Sequence, residues 1–229
     1  MNQNRNKKSI FVLIFVSFAF FSGSLKSQTF LLDPPEIYIG PTFGYNLSRV
    51  NFSPSIQQSF LQGNNGGLAF RYISEKHFGF QIELNYSQRG WTESDSAGYS
   101  RRLNYIEVPF LTHFYFGNSS RFIFNVGPKI SYLLSEKVLK NDFTNTTAEQ
   151  HIKPAYFPFD YGIAAGFGYD LHTRSVGILE LELRIYYGLA DVFANTKTDY
   201  FAASNHLDAS INLGWFFQLS GKEKKKTIK

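Results

Sequence analysis

The sequence contains no cysteine, which excludes a disulfide framework, a thiolate metal site and a cysteine nucleophile. Charged residues are scarce and no more common than aromatic ones, which is the reverse of a disordered chain. Acidic residues are missing from positions 1–27, and lysine dominates positions 220–229. Each of these ends carries a net charge of +4, so the body between them carries −3. We therefore expect no nucleic-acid partner.

The first 27 residues have the pattern of an export signal. Three basic residues within positions 5–8 precede a 12-residue apolar run over 10–21. That run is shorter than the roughly 20 residues that a membrane-spanning helix needs, but it has the length of a signal-peptide core. Small residues follow, so cleavage is expected after Ser24 or after Ser27. The sequence predicts a signal peptide over 1–27, with a membrane anchor or a buried strand as the alternative.

Beyond this segment, apolar and other residues alternate with a period of two, which is typical of β-strands. For example, Leu181 and Leu183 lie on one face of a strand, and Glu182 between them lies on the other. The apolar face carries no charged residue in any of the predicted strands. The eight alternating segments are 36–46, 67–73, 77–89, 105–116, 122–134, 159–171, 176–189 and 207–219.

Two architectures fit this alternation, a soluble barrel or sandwich and a membrane barrel. Several runs exceed the usual ~5–6 residues of soluble strands and reach the ~9–11 of membrane strands. The face opposite the apolar one is rich in glycine, alanine, serine and asparagine, which suits a narrow lumen. Long predicted connections alternate with short turns, as in outer-membrane barrels. The long connections are 47–66, 90–104, 135–155 and 190–205.

These features favour an all-β fold: an eight-stranded antiparallel up-and-down transmembrane β-barrel of OmpA or OmpX size. The predicted divisions are the signal peptide, a periplasmic lead-in at 28–35, the barrel at 36–219 and a lysine-rich periplasmic tail at 220–229. The expected location is the outer membrane of a Gram-negative cell, in contact with its lipid. Aromatic rings near the strand ends predict the two membrane-interface girdles. The girdle residues are Tyr45, Tyr72, Trp91, Tyr132, Trp215 and Phe217.

Three motifs occur in order within the predicted strands. The first is Tyr-Ser-x-Arg-Gly at 86–90, the second is Tyr-Ile-Glu-Val-Pro at 105–109, and the third is Gly-Pro at 127–128. With these motifs, essentially the whole mature chain resembles the PorT-type outer-membrane β-barrel family of Bacteroidetes, whose members are often labelled porin-like. The motifs are structural, so the resemblance implies a barrel. The family's namesake is needed for type IX protein secretion, a role that the shared motifs do not carry over by themselves.

The charged residues of the second face predict a polar network inside the lumen. An eight-stranded barrel is just wide enough for side chains to fill it, so an open porin channel is not expected. Charges in a narrow lumen need partners, and Glu83 could pair with Arg71, and Glu107 with Arg89 or Lys129. The network is either structural or selects ions in a narrow pore. Its predicted members are Arg71, Glu83, Arg89, Glu107, Lys129, Asp160, Asp170, Glu180, Glu182, Arg184 and Asp208.

Catalytic chemistry has weak support in the sequence. His206 has Ser204 and Asp208 as neighbours, so a hydrolase triad is conceivable, but closeness in sequence is not triad geometry. No histidine and acid have convincing metal-ligand spacing, and no cofactor motif is present. We therefore predict no catalytic, metal or cofactor site.

The leading functional interpretation is a non-enzymatic scaffold or interaction module, accessory to protein secretion or to a surface assembly. Its expected partners are other outer-membrane or periplasmic proteins, because exposed loops on a rigid barrel are the usual place for recognition. The alternatives are a narrow channel for small solutes or ions and a lipid-modifying barrel enzyme.

Overall fold

A computed structural model gives the conformation of most of the chain. The predicted signal peptide and the lysines of the predicted tail lie outside the described residues. Among the described residues there is one short helix, α1 (Glu149–Ile152), and no helix long and apolar enough to cross a membrane. The structure describes residues 31–94, 98–141, 148–173, 176–196 and 199–221.

Eight long strands and one short strand make up the rest of the described secondary structure. The short strand, β2 (Gln58–Ser59), lies in the connection between the first two long strands. The long strands are β1 (Leu31–Ser53), β3 (Leu61–Glu75), β4 (Phe78–Glu93), β5 (Tyr99–Gly117), β6 (Ser120–Asn141), β7 (Phe159–Thr173), β8 (Gly177–Asp191) and β9 (Ala203–Ser220).

The eight long strands pair into a closed ring. Each pairs antiparallel with the long strand that follows it in the chain, from β1 with β3 to β8 with β9. The pairing of β9 with β1, which includes Tyr45 opposite Ile211, closes the ring. Closure leaves these strands no free edge along their shared length. The fold is therefore the predicted eight-stranded antiparallel up-and-down barrel.

The strands run further than the apolar alternation indicated, so much of the sequence predicted as outer loop is strand. Residues 61–66, for example, were expected in the loop 47–66, yet they pair with β1, with Gln62 opposite Leu47. Backbone N–H and C=O groups form the ladder, so polar residues continue a strand wherever a neighbouring strand is present. We call this end of the barrel the loop end; the described parts of its remaining connections are 54–60, 94, 98, 148–158, 192–196 and 199–202.

The two faces of the wall differ sharply in exposure. On β7, residues on the lumen side are buried from Asp160 to Asp170, and the residues between them are largely exposed. The outward side chains form a continuous apolar surface, as the lipid-facing side of a membrane barrel requires. One exposed example from each strand is Phe43, Leu68, Leu84, Phe110, Ile130, Ile163, Leu183 and Leu213.

Five of the six predicted girdle residues lie on this outer surface. Tyr45, Tyr132, Trp215 and Phe217 are exposed, and Tyr72 is half-buried between inward-facing neighbours. Trp91 was assigned wrongly, because it is fully buried inside the barrel. The period of two continues through Gly90, so Trp91 shares the inward face of Arg89 and Glu93.

Candidate functional site

The lumen is built in layers from inward-facing side chains. An apolar layer lies near the turn end, where 76–77 and 118–119 connect strands; it includes Tyr38, Ile73 and Phe216. Two groups of charged residues follow, and a second apolar layer closes the loop end. We name the charged groups the turn-side ion cluster (Arg71, Glu83, Asp170, Glu180, Glu182 and Arg184) and the loop-side ion cluster (Arg89, Glu107, Lys129, Asp160 and Asp208).

Arg71 crosses the lumen within the turn-side ion cluster. It projects from β3, and its Nη1 donates to Asp170 Oδ2 of β7 at 2.8 Å, while Nη2 bonds Glu180 of β8. Its Nε donates to Gln81 Oε1 at 2.7 Å, and the guanidinium lies 4.3 Å from the ring centroid of Phe216. A guanidinium presents several donors in a fixed plane, which allows one buried cation to satisfy acceptors on different walls.

Arg184 forms the second bridge of the turn-side ion cluster. From β8 its Nη2 lies 2.7 Å from Glu83 Oε1 on β4 and 2.7 Å from Glu182 Oε2 on its own strand. Glu83 also accepts hydrogen bonds from Gln81 at 2.6 Å and from Asn85 at 2.7 Å. Buried carboxylates that receive several donors are stabilised in the charged form that an ion pair requires.

Arg89 is the centre of the loop-side ion cluster. Its guanidinium lies 2.9 Å from Glu107, 2.8 Å from Asp160 and 3.4 Å from Asp208, which belong to three different strands. Lys129 approaches Glu107 to 3.1 Å. One arginine therefore ties β4 to β5, β7 and β9 through the middle of the lumen.

Rings complete the surroundings of these two cations. Arg89 lies 4.0 Å from the centroid of Tyr105, and Lys129 lies 3.6 Å from that of Tyr186. Tyr186 also donates a 2.9 Å hydrogen bond to Asp160. Cations that are shielded from water gain from such ring faces, which add to the ion pairs.

All eleven residues named from the sequence face the lumen, although their partners differ in part from the expected ones. Glu107 contacts both Arg89 and Lys129. The expected pair of Arg71 with Glu83 is wrong, because Arg71 reaches the far wall and Arg184 takes Glu83. Neighbouring positions on adjacent strands do not decide pairing here, since long side chains span the narrow lumen.

Sequence reasoning missed the neutral members of the network. Gln81, Asn85, Asn125 and Tyr186 occupy inward positions and bond the charged groups directly. The period of two places all four on the lumen side, so their parity was the available signal.

The loop-end apolar layer is a second feature that the sequence did not indicate. Phe52, Trp91, Phe193 and Phe201 are buried and in mutual ring contact, with centroids 4.8–6.0 Å apart. Two of these rings come from the connection 192–202, which therefore folds into the barrel mouth.

Polar contacts fix the remaining connections over the apolar rings. Arg101 Nη1 donates to the carbonyl oxygen of Lys153 at 2.6 Å, and the His151 ring nitrogen lies 2.9 Å from Glu93. Lys153 in turn lies 3.1 Å from Asp199. Hydrogen bonds from Thr196 and Lys153 hold the pKa of Asp199 below its ordinary value. The connections at 148–158 and 192–202 are thus tied to the barrel and to each other.

Little free volume remains between these layers. A lumen cavity lined by residues of both ion clusters, among them Arg89, Lys129 and Arg184, has a volume of about 30 Å³. Each water molecule needs about 10–15 Å³ of such volume, so the cavity holds roughly two. Side chains rather than water fill this part of the barrel.

The conceivable catalytic triad is not assembled. Ser204 Oγ accepts the backbone N–H of Phe193 at 2.9 Å, and His206 Nε2 lies 3.2 Å from the Tyr105 hydroxyl. Ser204 and His206 are fully buried, so no substrate reaches them in this conformation. Within the part of the chain that the structure describes, no group of three His, Asp or Glu side chains is arranged to hold a metal ion.

The closed ring, the apolar outer face and the filled polar lumen define a small outer-membrane barrel. Residues 27–194 match the outer membrane protein beta-barrel domain family, and the chain belongs to that family. The protein is accordingly an outer-membrane protein. No curated protein matches the sequence.

Similar solved structures are small outer-membrane proteins of low sequence identity. OprG of Pseudomonas aeruginosa is 10% identical with a TM-score of 0.48, over 83% of this chain and 98% of that one. Ail, the attachment invasion locus protein of Yersinia pestis, is 13% identical with a TM-score of 0.42, over 80% and 99%. Neisserial surface protein A is 10% identical with a TM-score of 0.43, over 79% and 97%.

Proposed function

We propose that this protein is a non-enzymatic outer-membrane scaffold that binds a partner protein at its loop end. The observation that carries the proposal is the filled lumen: two ion clusters between two apolar layers, around a cavity of about 30 Å³. A barrel interior of this kind supplies rigidity and leaves recognition to the ends of the barrel.

Of the two ends of the barrel, the loop end is the better candidate for the partner-binding site. Its connections carry large apolar side chains that are exposed: Ile152, Tyr156, Phe157 and Tyr200. Exposed apolar groups that cluster on connections, where polar residues are usual, are typical of interaction sites. The partner we propose belongs to a secretion machinery, such as type IX secretion, or to another surface assembly; the PorT-type resemblance suggests this choice, although its motifs do not carry the role over by themselves.

The channel and the enzyme have less support. A channel would need a continuous water path, and the crossing side chains of Arg71, Arg89 and Arg184 occupy the middle of the lumen. An enzyme would need an accessible nucleophile and base, and Ser204 and His206 are buried.

Site-specific photo-cross-linking in native outer membranes tests the scaffold. A photoreactive residue at Tyr200 should capture a defined protein, and the same residue at Lys76, which is exposed at the turn end, should not. Equal capture from both positions, or none from either, would contradict the proposal. The channel alternative is tested in planar bilayers, where the purified barrel should give no unitary conductance. If it conducts and Arg184→Met changes the conductance, the scaffold interpretation is wrong and the protein is a pore.

A further inference from the structure

At the loop end, strand β6 extends beyond the first residue of its neighbour β7. β7 begins at Phe159, which pairs with Tyr132, whereas β5 continues to pair with β6 as far as Asn141. Leu133 still donates its N–H to the carbonyl oxygen of Pro158. Beyond that point β6 has a strand on one side only, within the described residues. We name residues 134–139 the β6 edge.

The β6 edge is open to solvent on both faces. All six residues are exposed, including Val138 at 45% and Leu139 at 40%. The chain that leads into β7 contacts the Glu136 side chain of this segment: the backbone N–H of Ala155 donates to the Glu136 carboxylate at 3.1 Å. Proline at 154 and 158 lacks the N–H that a ladder requires, so this chain does not pair as a strand. Among the described residues no strand pairs with this side of the edge, which makes it a template for strand addition.

One lysine carries the uncompensated charge of the edge. Lys137 is the register partner of Arg102 on β5, but the Arg102 guanidinium reaches away from β6 to the carbonyl oxygen of Gln62 on β3, so Lys137 alone of the two faces the open side. The one acid of the edge, Glu136, is already offset by Arg101 at 2.6 Å. In an incoming segment with acidic side chains at alternate positions, those side chains share one face, so one of them can lie beside Lys137.

We propose that the β6 edge binds an extended, acidic segment of a partner protein as an additional strand. This inference rests on the proposed scaffold function and specifies where and how the partner binds. Main-chain hydrogen bonds along the edge would supply affinity, and Lys137 would select an acidic residue. Val138 lies on the face opposite Lys137, so its side chain would pack against the apolar residues that alternate with the acidic ones.

A second copy of this chain is the less suitable occupant. Two barrels in one membrane have the same orientation, so their β6 strands would run parallel and bring like residues together. Lys137 would then lie beside Lys137 of the other copy, and like charges on neighbouring strands are destabilising. Lysine on an edge is a common protection against such self-association. The same residue that opposes a second copy attracts an acidic partner.

The test uses the purified full-length barrel in nanodiscs and synthetic ten-residue peptides. The probe alternates valine and glutamate; the controls replace glutamate by lysine or methylate alternate backbone nitrogens. Binding is measured by fluorescence anisotropy, and amide hydrogen exchange is measured residue by residue. We expect the acidic peptide to bind and to slow exchange at alternate amides of 134–139 by about tenfold or more. Lys137→Glu should reverse the preference toward the lysine peptide, whereas Lys76→Glu at the turn end should change nothing.

Three results would overturn the proposal: acidic-peptide binding without protection at 134–139, equal binding of the N-methylated peptide, or no binding. The scaffold is judged separately by cross-linking at Tyr200. Capture there without edge protection would leave the scaffold standing and remove the strand-addition mode. Edge protection without any captured protein would contradict the scaffold instead.

Discussion

The ion clusters and the loop-end apolar layer occupy the same inward face of the same eight strands, yet they are held together differently. In the clusters, a few long cations reach from one wall to acids on several others, as Arg89 does. In the apolar layer, Trp91 and Phe201 each pack against the rings of Phe52 and Phe193, with no ion pair between them. The apolar layers separate the charges between them from bulk water, and charges in such an interior need partners of opposite charge. The apolar layers and the ion clusters therefore depend on one another.

The largest effect should follow removal of the cation that holds three acids. In Arg89→Met, Glu107, Asp160 and Asp208 keep Lys129 as their remaining close cation, and Lys129 lies beside Glu107. Removing one partner of a buried ionic group costs about 3–5 kcal/mol, so we expect a loss of at least that size. Urea unfolding in lipid vesicles, followed by tryptophan fluorescence, measures it.

Arg49→Met is the matched control, because Arg49 is exposed on the outer side of β1. It should change the free energy of unfolding by no more than about 0.5 kcal/mol. If both variants lost the same stability, the ion cluster would have no special role.

A smaller loss is expected in the apolar layer. Phe201→Ala removes a buried ring that contacts Phe52 and Phe193, which should cost about 3 kcal/mol. The adjacent Tyr200 is exposed, so Tyr200→Ala should be nearly neutral. Neither variant should conduct in planar bilayers, because the ion clusters still block the lumen. Conductance in Phe201→Ala alone would mean that the rings, and not the charges, close the barrel.

A double-mutant cycle measures a single ionic bridge. Glu83→Gln, Arg184→Met and the double variant should give a coupling free energy of about 1–3 kcal/mol, since the two groups form direct hydrogen bonds inside the barrel. Unfolding in urea supplies the three differences. A coupling near zero would show that Glu182 alone suffices to hold Arg184.

The smallest effect should be seen at the polar contacts over the mouth. Because the pKa of Asp199 is lowered in the folded protein, its contacts with Thr196 and Lys153 stabilise the connection above the ordinary aspartate pKa of about 4. That contribution is lost as the pH falls through the lowered value. Amide exchange at 149–155, corrected for intrinsic rates, should therefore quicken below about pH 4. Asp199→Asn should remove this dependence; an unchanged pH profile in the variant would assign it to another group.

The period of two was sufficient to predict the barrel and the inward direction of the charged side chains. Asp160 and Asp170, for example, follow from parity on one strand. The same rule places Trp91 inside, but its position near a strand end led to its assignment to the membrane interface. The partners of Arg71 could not be predicted, because they depend on the diameter and stagger of the closed ring. The burial of Phe193 depends on how a connection folds, and connections carry no periodic signal.

β7 has a consequence for engineering. Its inward positions include Gly162 and Gly166; a Cβ atom built at Gly166 would collide with the Glu182 carboxylate, and one at Gly162 would collide with the Tyr187 carbonyl oxygen and lie 2.8 Å from the Tyr186 ring. Because β7 has no side chains at these two inward positions, side chains from β8 occupy the space in front of them. A designer who wished to convert this filled barrel into a conduit would shorten Glu182 and Tyr186 first, because the vacated volume would lie against bare backbone.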